Sequence, residues 1–210
     1  MKLVGMLDSP YVRRVAISLQ LLGLRFEHQS LSVFRSFDEF RLINPVVKAP
    51  SLVCEDGTVL MDSTLILQYA EALSRPRSLL PADPAALRRT LAVTGLALAA
   101  CEKSVQIVYE RGLRPADKQH GPWLDRVRLQ LLAACTGLEQ ELAREPLAAS
   151  RSAIDQGGVS AAVAWTFIRH MVPDCVPEAD FPRLAAFTVE AEALDAFRAA
   201  PHGDGTYRAG

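Results

Sequence analysis

Cysteine is scarce and scattered in this chain: four residues, Cys54, Cys101, Cys135 and Cys175, with no CxxC pair and no metal-like spacing. No metal is expected, and the thiols read as packed small hydrophobes in a reducing, cytoplasmic compartment. An excess of charge of one sign is missing too. With 23 basic and 24 acidic residues the formal net charge is −1, so no global field draws the chain to nucleic acid or to an anionic membrane, and neither is an expected partner. No uninterrupted apolar run approaches the ~18 residues of a spanning helix. The opening "MKLVGMLDSP" is broken by Asp8 and Pro10 before a signal-peptide core could form. No internal repeat is visible.

What remains is an ordinary globular composition, half hydrophobic and 22% charged over 210 residues. That length holds one or two domains at about 100–200 residues each. The periodicity favours two. Lys2–Leu7 reads as a short buried strand, after which Pro10 opens a helix with Val12, Val15, Ala16, Leu19 and Leu22 at steps of three and four, closed by Gly23. "RFEHQSL" predicts a second strand, "FDEFRLI" a short helix stopped at Asn44-Pro45, and "SLVCEDGTVLM" a hairpin turning at Asp56-Gly57. Asp62-Ser63 then caps a helix carrying Ile66, Tyr69, Ala70 and Leu73 on one face.

Strand, helix, strand, helix, hairpin, helix is the order of a thioredoxin-like α/β domain, a mixed four-stranded sheet built from a parallel crossover pair and an antiparallel hairpin. We place this domain at residues 1–78 and a proline-rich linker at 79–84. Residues 85–210 read almost entirely at helical spacing, as an all-α bundle. Its long helices run from Ala85 to about Gly112 and from Trp123 to about Glu145, with shorter ones in 152–171 and 182–200. "SAID" has the layout of a capping box, Ser152 at the cap and Asp155 three residues on. Two glycines, Gly157 and Gly158, follow at a helix start, costing roughly 1 kcal/mol each in propensity and local rigidity. The tail "PHGDGTYRAG" is expected to fray.

Ser9 admits two readings that do not compete. Ser followed by Pro is a favoured pair for the cap and first position of a helix. The same position, at a helix N-terminus where backbone N–H groups favour an anion, also suits a hydroxyl that takes part in chemistry.

Four motifs in register resemble the glutathione S-transferase family. "SPYVRRV" is similar to the segment after the first strand of serine-type transferases, "NPVVKAPSL" to NPxGKVPxL, "DSTLILQYAE" to the DS/ES helix start, and "LLPADPAAL" to the LLPxDP linker. The amino terminus is most similar to bacterial transferase-like proteins reading M-K-L-V-G-x-x-x-S-P-(Y/F)-V-R. The resemblance implies glutathione as substrate, a cytosolic homodimer, and no metal.

It also implies roles. Pro50 would be cis, with Ala49 offering its backbone to the cysteinyl unit of glutathione. Ser63 would hold the γ-glutamyl carboxylate at the helix N-terminus, Asp62 the neighbouring ammonium, and Lys48 the glycyl carboxylate. Ser9 would stabilise the thiolate, with Arg13 adding positive potential; the alternative for Arg13 and Arg14 is a surface cation lying over its own stem. Tyr11 ranks below Ser9, because it enters the helix rather than lying in the first strand. No cysteine stands at or near Ser9, which weighs against a mixed disulfide with the protein. By position, Leu7, Cys101, Glu102, Val105 and Tyr109 are candidates for a hydrophobic substrate wall.

Val47 stands where the family motif has glycine, which bears on the backbone next to Lys48, and Asp62 replaces the commoner glutamate, shortening its reach. The expected function is conjugation of the glutathione thiolate to a small, apolar electrophile, as in detoxification. The alternatives are a non-catalytic transferase-like binding or regulatory protein, and a glutathione-dependent reductase or lyase using the same binding groups.

Overall fold

A computed structural model describes residues Met1–Tyr207. The chain forms two compact units, Met1–Leu79 joined by the segment from Ala193 onward, and Leu80–Glu192. The sequence-based partition kept everything after residue 85 in the helical part. The structure differs there: the last segment packs with the amino-terminal unit.

In the first unit the strands are β1 (Lys2–Val4), β2 (Glu27–Gln29), β3 (Ser51–Val53) and β4 (Val59–Met61), in the order β2-β1-β3-β4. β1 pairs in parallel with β2 and antiparallel with β3, and β3 pairs antiparallel with β4, the mixed sheet that the element order predicts. Each strand is only three residues long, and β1 stops at Val4 rather than Leu7. Leu3 and Val4 project to opposite faces and both are fully buried, so the sheet is covered on both sides. Val4 packs with Leu31 and with Phe40 of α2 (Phe37–Ile43).

α1 (Pro10–Leu21) begins as the Ser-Pro pair predicts: Ser9 is the N-cap, with its Oγ accepting from the Val12 amide at 3.4 Å. It ends in a Schellman motif around Gly23, whose amide donates to Gln20 O at 3.0 Å while Leu24 N donates to Leu19 O at 2.9 Å. α1 is buried on nearly every side, charged positions included. Arg13 is 1% exposed and Arg14 2% exposed, so neither is a surface cation. Arg13 Nε donates to Ala200 O at 2.7 Å, and its guanidinium lies 5.7 Å from the centroid of the Phe197 ring.

Phe197 belongs to the short helix α8 (Asp195–Arg198), which packs on α1. The tail beyond it is docked as far as Tyr207, contrary to the expected fraying. Tyr207 stacks on Phe26 with ring centroids 4.6 Å apart, its amide donates to His28 Nδ1 at 2.9 Å, and Ser30 Oγ donates to Asp204 O at 2.8 Å. The remaining expected fraying, at positions 208–210, lies outside the described residues.

α3 (Ser63–Leu73) turns Ile66, Leu67 and Ala70 inward. Tyr69 and Leu73, which the sequence reading set on the same face as Ile66, are exposed instead. Leu67 takes the inner position that Tyr69 was expected to fill.

The second unit contains α4 (Pro84–Leu113), α5 (Gly121–Arg144), α6 (Gln156–Met171) and α7 (Pro182–Glu192). α4 is long and apolar enough, by length and composition, to cross a membrane, but it packs here against α5 and α6, and core helices of globular proteins pass the same test. α6 is buried along most of its length, from Gln156 to Ile168 with Thr166 partly open. Its cap is Asp155, not Ser152. Asp155 Oδ1 accepts from Gly158 N at 2.8 Å, and Oδ2 accepts from Thr90 Oγ1 on α4. Gly157 has a packing reason as well: a Cβ there would lie 3.1 Å from Thr90 O and 3.2 Å from Val93 Cβ, so its absence lets α6 start hard against α4. The expected local looseness is replaced by close helix contact. Glu139 of α5 caps α7 in turn, its carboxylate accepting from Arg183 N at 3.0 Å and Leu184 N at 2.9 Å.

Asp155→Ala removes a helix cap and the partner of Thr90, at a cost of about 1–2 kcal/mol. Calorimetry should show a midpoint lower by roughly 2–8 °C. His28 supplies a pH dependence. Because Nδ1 accepts from Tyr207 N, Nε2 carries the proton it donates to Gly5 O at 2.7 Å, and burial pushes the imidazole pKa below its usual value. The unfolded chain therefore binds this proton first as pH falls. The contribution is fully present above about pH 6.5 and is lost below it. Unfolding midpoints measured between pH 7.5 and 5.5, as convenient working limits of about one pH unit either side of 6.5, should fall more steeply for the wild type than for His28→Gln.

Candidate functional site

The loop between α2 and β3 is built around a buried asparagine. Asn44 Nδ2 donates to Ser51 Oγ at 2.9 Å, Asn44 Oδ1 accepts from Val46 N at 3.0 Å, and Ser51 Oγ donates to Lys48 O at 2.7 Å. These bonds fix both ends of the segment leading to Pro50, and the Ala49–Pro50 peptide is cis. Val47 has φ +53°, the left-handed region, which costs a β-branched residue about 1–3 kcal/mol. The conformation that a glycine would adopt is therefore kept. The side chain packs against the cluster of Val4, Leu31 and Phe40, and burial offsets the strain.

Ala49 is brought against the first turn of α1 by Gly5. A Cβ on Gly5 would stand 2.6 Å from Val12 Cγ2 and 3.0 Å from Ala49 Cβ, and Gly5 has φ +135°. Only glycine fits both that angle and that space. Val12 is the residue whose amide Ser9 caps, so Ser9 and Ala49 flank the same first turn.

The start of α3 is tied to the same helix. Asp62, itself at φ +67°, caps α3 through Oδ1, which accepts from Thr64 N at 2.8 Å. Its other oxygen lies 4.0 Å from Lys48 Nζ, both side chains being half-exposed. Ser63 is buried, and its Oγ accepts from Arg14 Nη1 at 3.0 Å, leaving the hydroxyl proton to donate; Arg14 also donates to Thr64 Oγ1 at 3.3 Å. Arg14 is the functional candidate that sequence reasoning passed over in favour of Arg13. Adjacent helical positions point about 100° apart, so one guanidinium faces α3 and the other faces the carboxy-terminal segment. Nothing in "RR" says which.

Asp8, next to Ser9, is half-buried, and that burial raises its pKa above the ordinary carboxyl value, partly opposed by the Ser9 amide and Arg35. Of the expected substrate wall, Leu7 and Cys101 are buried. Val105 is half-buried, and Glu102 is held by Lys103 and Gln106. Tyr109 lines a cavity within the helical unit. Among the described residues no group of three or more His, Cys, Asp or Glu could hold a metal ion.

This arrangement of helix cap, cis-proline edge and second helix N-terminus has counterparts among known proteins. Residues 3–78 match the family model for the glutathione S-transferase N-terminal domain. The uncharacterized GST-like protein YibF of Escherichia coli K12 is 30% identical over 173 residues, 82% of this chain and 85% of that protein. A glutathione transferase family member from Pseudomonas fluorescens Pf-5, solved with bound glutathione, is 30% identical with a TM-score of 0.81, covering 95% of this chain and 97% of that one. A glutathione S-transferase of Methylobacterium radiotolerans, solved with glutathione sulfonate, is 26% identical with a TM-score of 0.84, covering 94% and 92%. The chain belongs to the glutathione S-transferase family. Its first unit is the thioredoxin-like domain of that family and its second the helical domain.

Gly5→Ala forces a Cβ into Val12 at an angle that L-residues avoid. We expect a loss of about 1–3 kcal/mol, read as a lower midpoint in denaturant titration, and an unchanged midpoint would contradict the packing described for Ala49.

Proposed function

We propose that this protein binds glutathione and conjugates its thiolate to a small, apolar electrophile. The observation that carries the reading is the convergence on α1 of Ser9, the cis Ala49–Pro50 edge and the Asp62-Ser63 helix start. Further support comes from the Pseudomonas fluorescens relative, 31% identical with a TM-score of 0.79 over 95% of this chain and 98% of that one, which was solved with S-(propanoic acid)-glutathione, a thioether of glutathione.

In this reading Ala49 pairs its backbone with the cysteinyl unit, Ser63 donates to the γ-glutamyl carboxylate, Asp62 faces the ammonium, and Lys48 reaches the glycyl carboxylate. Arg14, rather than Arg13, supplies positive charge at the start of α3. Ser9 keeps its own proton and donates to sulfur. A thiol near pKa 8.5 needs one to two units of depression to ionise near neutrality, about 1.4 kcal/mol per unit. One hydroxyl hydrogen bond and the α1 N-terminus are of that size.

The exposed stripe of Leu65, Tyr69 and Leu73 on α3 supports a homodimer, since the side chains recur every four residues on one face. Four cysteines free of disulfides fit a reducing cytoplasmic setting.

Calorimetric titration with glutathione, followed by ultraviolet thiolate absorbance against pH in the complex, tests the reading. Wild type should bind, and Ser9→Ala should bind comparably with the bound thiol pKa raised by about one unit or more. No heat at millimolar glutathione would sink the proposal. Equal thiol pKa values in the two proteins would remove Ser9 from the chemistry.

A further inference from the structure

Beyond α8 the chain turns back onto the first unit and runs alongside β2, against the direction of the strand. Three side chains hold it there. Ser30 Oγ donates to Asp204 O at 2.8 Å, His28 Nδ1 accepts from Tyr207 N at 2.9 Å, and the Phe26 and Tyr207 rings stack with centroids 4.6 Å apart. Positions 26, 28 and 30 alternate along β2 and its flanks, and alternate residues of an extended chain share one face. Residues 202–207 are thus a strap seated on that face.

Two of the three holds, a hydroxyl bond and a ring stack, do not respond to pH. The third does. Neutral His28 accepts at Nδ1 and donates from Nε2 to Gly5 O at 2.7 Å. Protonated, it carries hydrogen on both nitrogens, so Nδ1 and the Tyr207 amide oppose each other as two donors. The bond to Gly5 survives because Nε2 donates in both states. Protonation therefore acts on the strap side of the ring and leaves the β1 side as it was. Burial lowers the pKa of this ring, against the Gly5 carbonyl, which raises it.

The neighbouring charges do not supply the same response. Glu27 stands on the opposite face of β2, in register with Lys2. Asp204 Oδ2 lies 3.9 Å from Arg35 Nη2, but both side chains are largely exposed, and such a pair is worth little in water. Arg35 also donates to Met6 Sδ at 3.6 Å, and on Asp8 it lowers the pKa that Asp204 raises. His202 is a second imidazole, carried by the strap itself.

We propose that residues 202–207 are a strap released by mild acid, with His28 as its latch. Above about pH 6.5 the ring is neutral and the strap is seated. Below that, each pH unit shifts the balance toward release by up to about tenfold, until the seated ring itself takes a proton. Release carries Asp204 away from Arg35 and Asp8, so the charge around the loop leading into Ser9 changes with it. The device lies within the first unit and does not rest on the glutathione reading.

Hydrogen exchange of the full chain, read by mass spectrometry and corrected for the intrinsic pH dependence of exchange, tests the strap. Between about pH 7.5 and pH 5.5 the peptide containing Tyr207 should lose about tenfold in protection, while peptides from α1 and α6 keep theirs. His28→Gln and His28→Asn, neutral throughout, should show no step at Tyr207, whatever protection they start from. Asp8→Asn, Asp204→Asn and His202→Gln should keep the wild-type step, as should added salt at about 0.5 M, which screens the Arg35 pair. Titrated by NMR in the wild type, the His28 ring should change protonation at the midpoint of the step. The proposal is overturned if the wild type shows no step or if the step persists in both His28 variants. It is equally overturned if the step disappears in Asp204→Asn or His202→Gln, or if α1 loses protection in parallel with the strap.

Discussion

Burial of two adjacent guanidinium groups on α1 is the constraint around which the first unit is arranged. A charged group removed from water needs acceptors for its protons, and the two arginines direct theirs differently, Arg13 through Nε and Arg14 through Nη1 while its Nε is left without an acceptor. Arg14 reaches the hydroxyls of Ser63 and Thr64 and so fixes where α3 begins. Arg13 reaches the carbonyl of Ala200 and the ring of Phe197 and so fixes where the carboxy-terminal segment lies. The candidate site takes its shape from the first of these bonds. Ser63 stands at a helix N-terminus with an arginine behind it, a combination that favours an incoming carboxylate before any part of a ligand has bound.

The backbone of the site tells a similar story from the apolar side. Gly5 gives up a side chain so that Val12 and Ala49 can both close on its backbone, while Val47 keeps a side chain at an angle that glycine would take without strain. The two positions are complementary. At Gly5 there is no room for a Cβ, whereas at Val47 there is a core for one to join, so the loop next to the cis-proline is anchored to the sheet's hydrophobic cluster instead of resting on glycine's freedom alone. Asn44 and Ser51, both buried, supply the hydrogen bonds that an irregular loop cannot obtain from a ladder.

Much of this was legible in the sequence wherever a local rule fixes the outcome. The Ser9-Pro10 start and the Gly23 stop of α1, the hairpin at Asp56-Gly57 and the strand order follow from capping, turn chemistry and handedness, which need only a few neighbouring residues. The Asp62 cap was legible for the same reason, whereas the cis Ala49–Pro50 peptide was legible only through the family resemblance. What the sequence withheld depends on distant partners. Arginines 13 and 14 read as exposed because charge is usually exposed, and only Ala200 and Ser63 reverse that. Tyr69 and Leu67 are both apolar at plausible helical spacing, and the choice between them lies in the packing of α1. Ser152 and Asp155 are both good caps, and Thr90, sixty-five residues earlier, accompanies the second. The tail looked free because glycines and a proline leave it without periodicity, yet Phe26, His28 and Ser30 each hold a piece of it.

The docking of that tail makes the first unit discontinuous along the chain. During synthesis on the ribosome its sheet and three helices emerge within the first eighty residues, but the carbonyl that satisfies Arg13 emerges only after the whole helical unit has been made. Until then Arg13 lacks this one of its contacts. The order of translation and the order of completion are thus opposed: the part of the molecule made first receives its last contacts from the part made last.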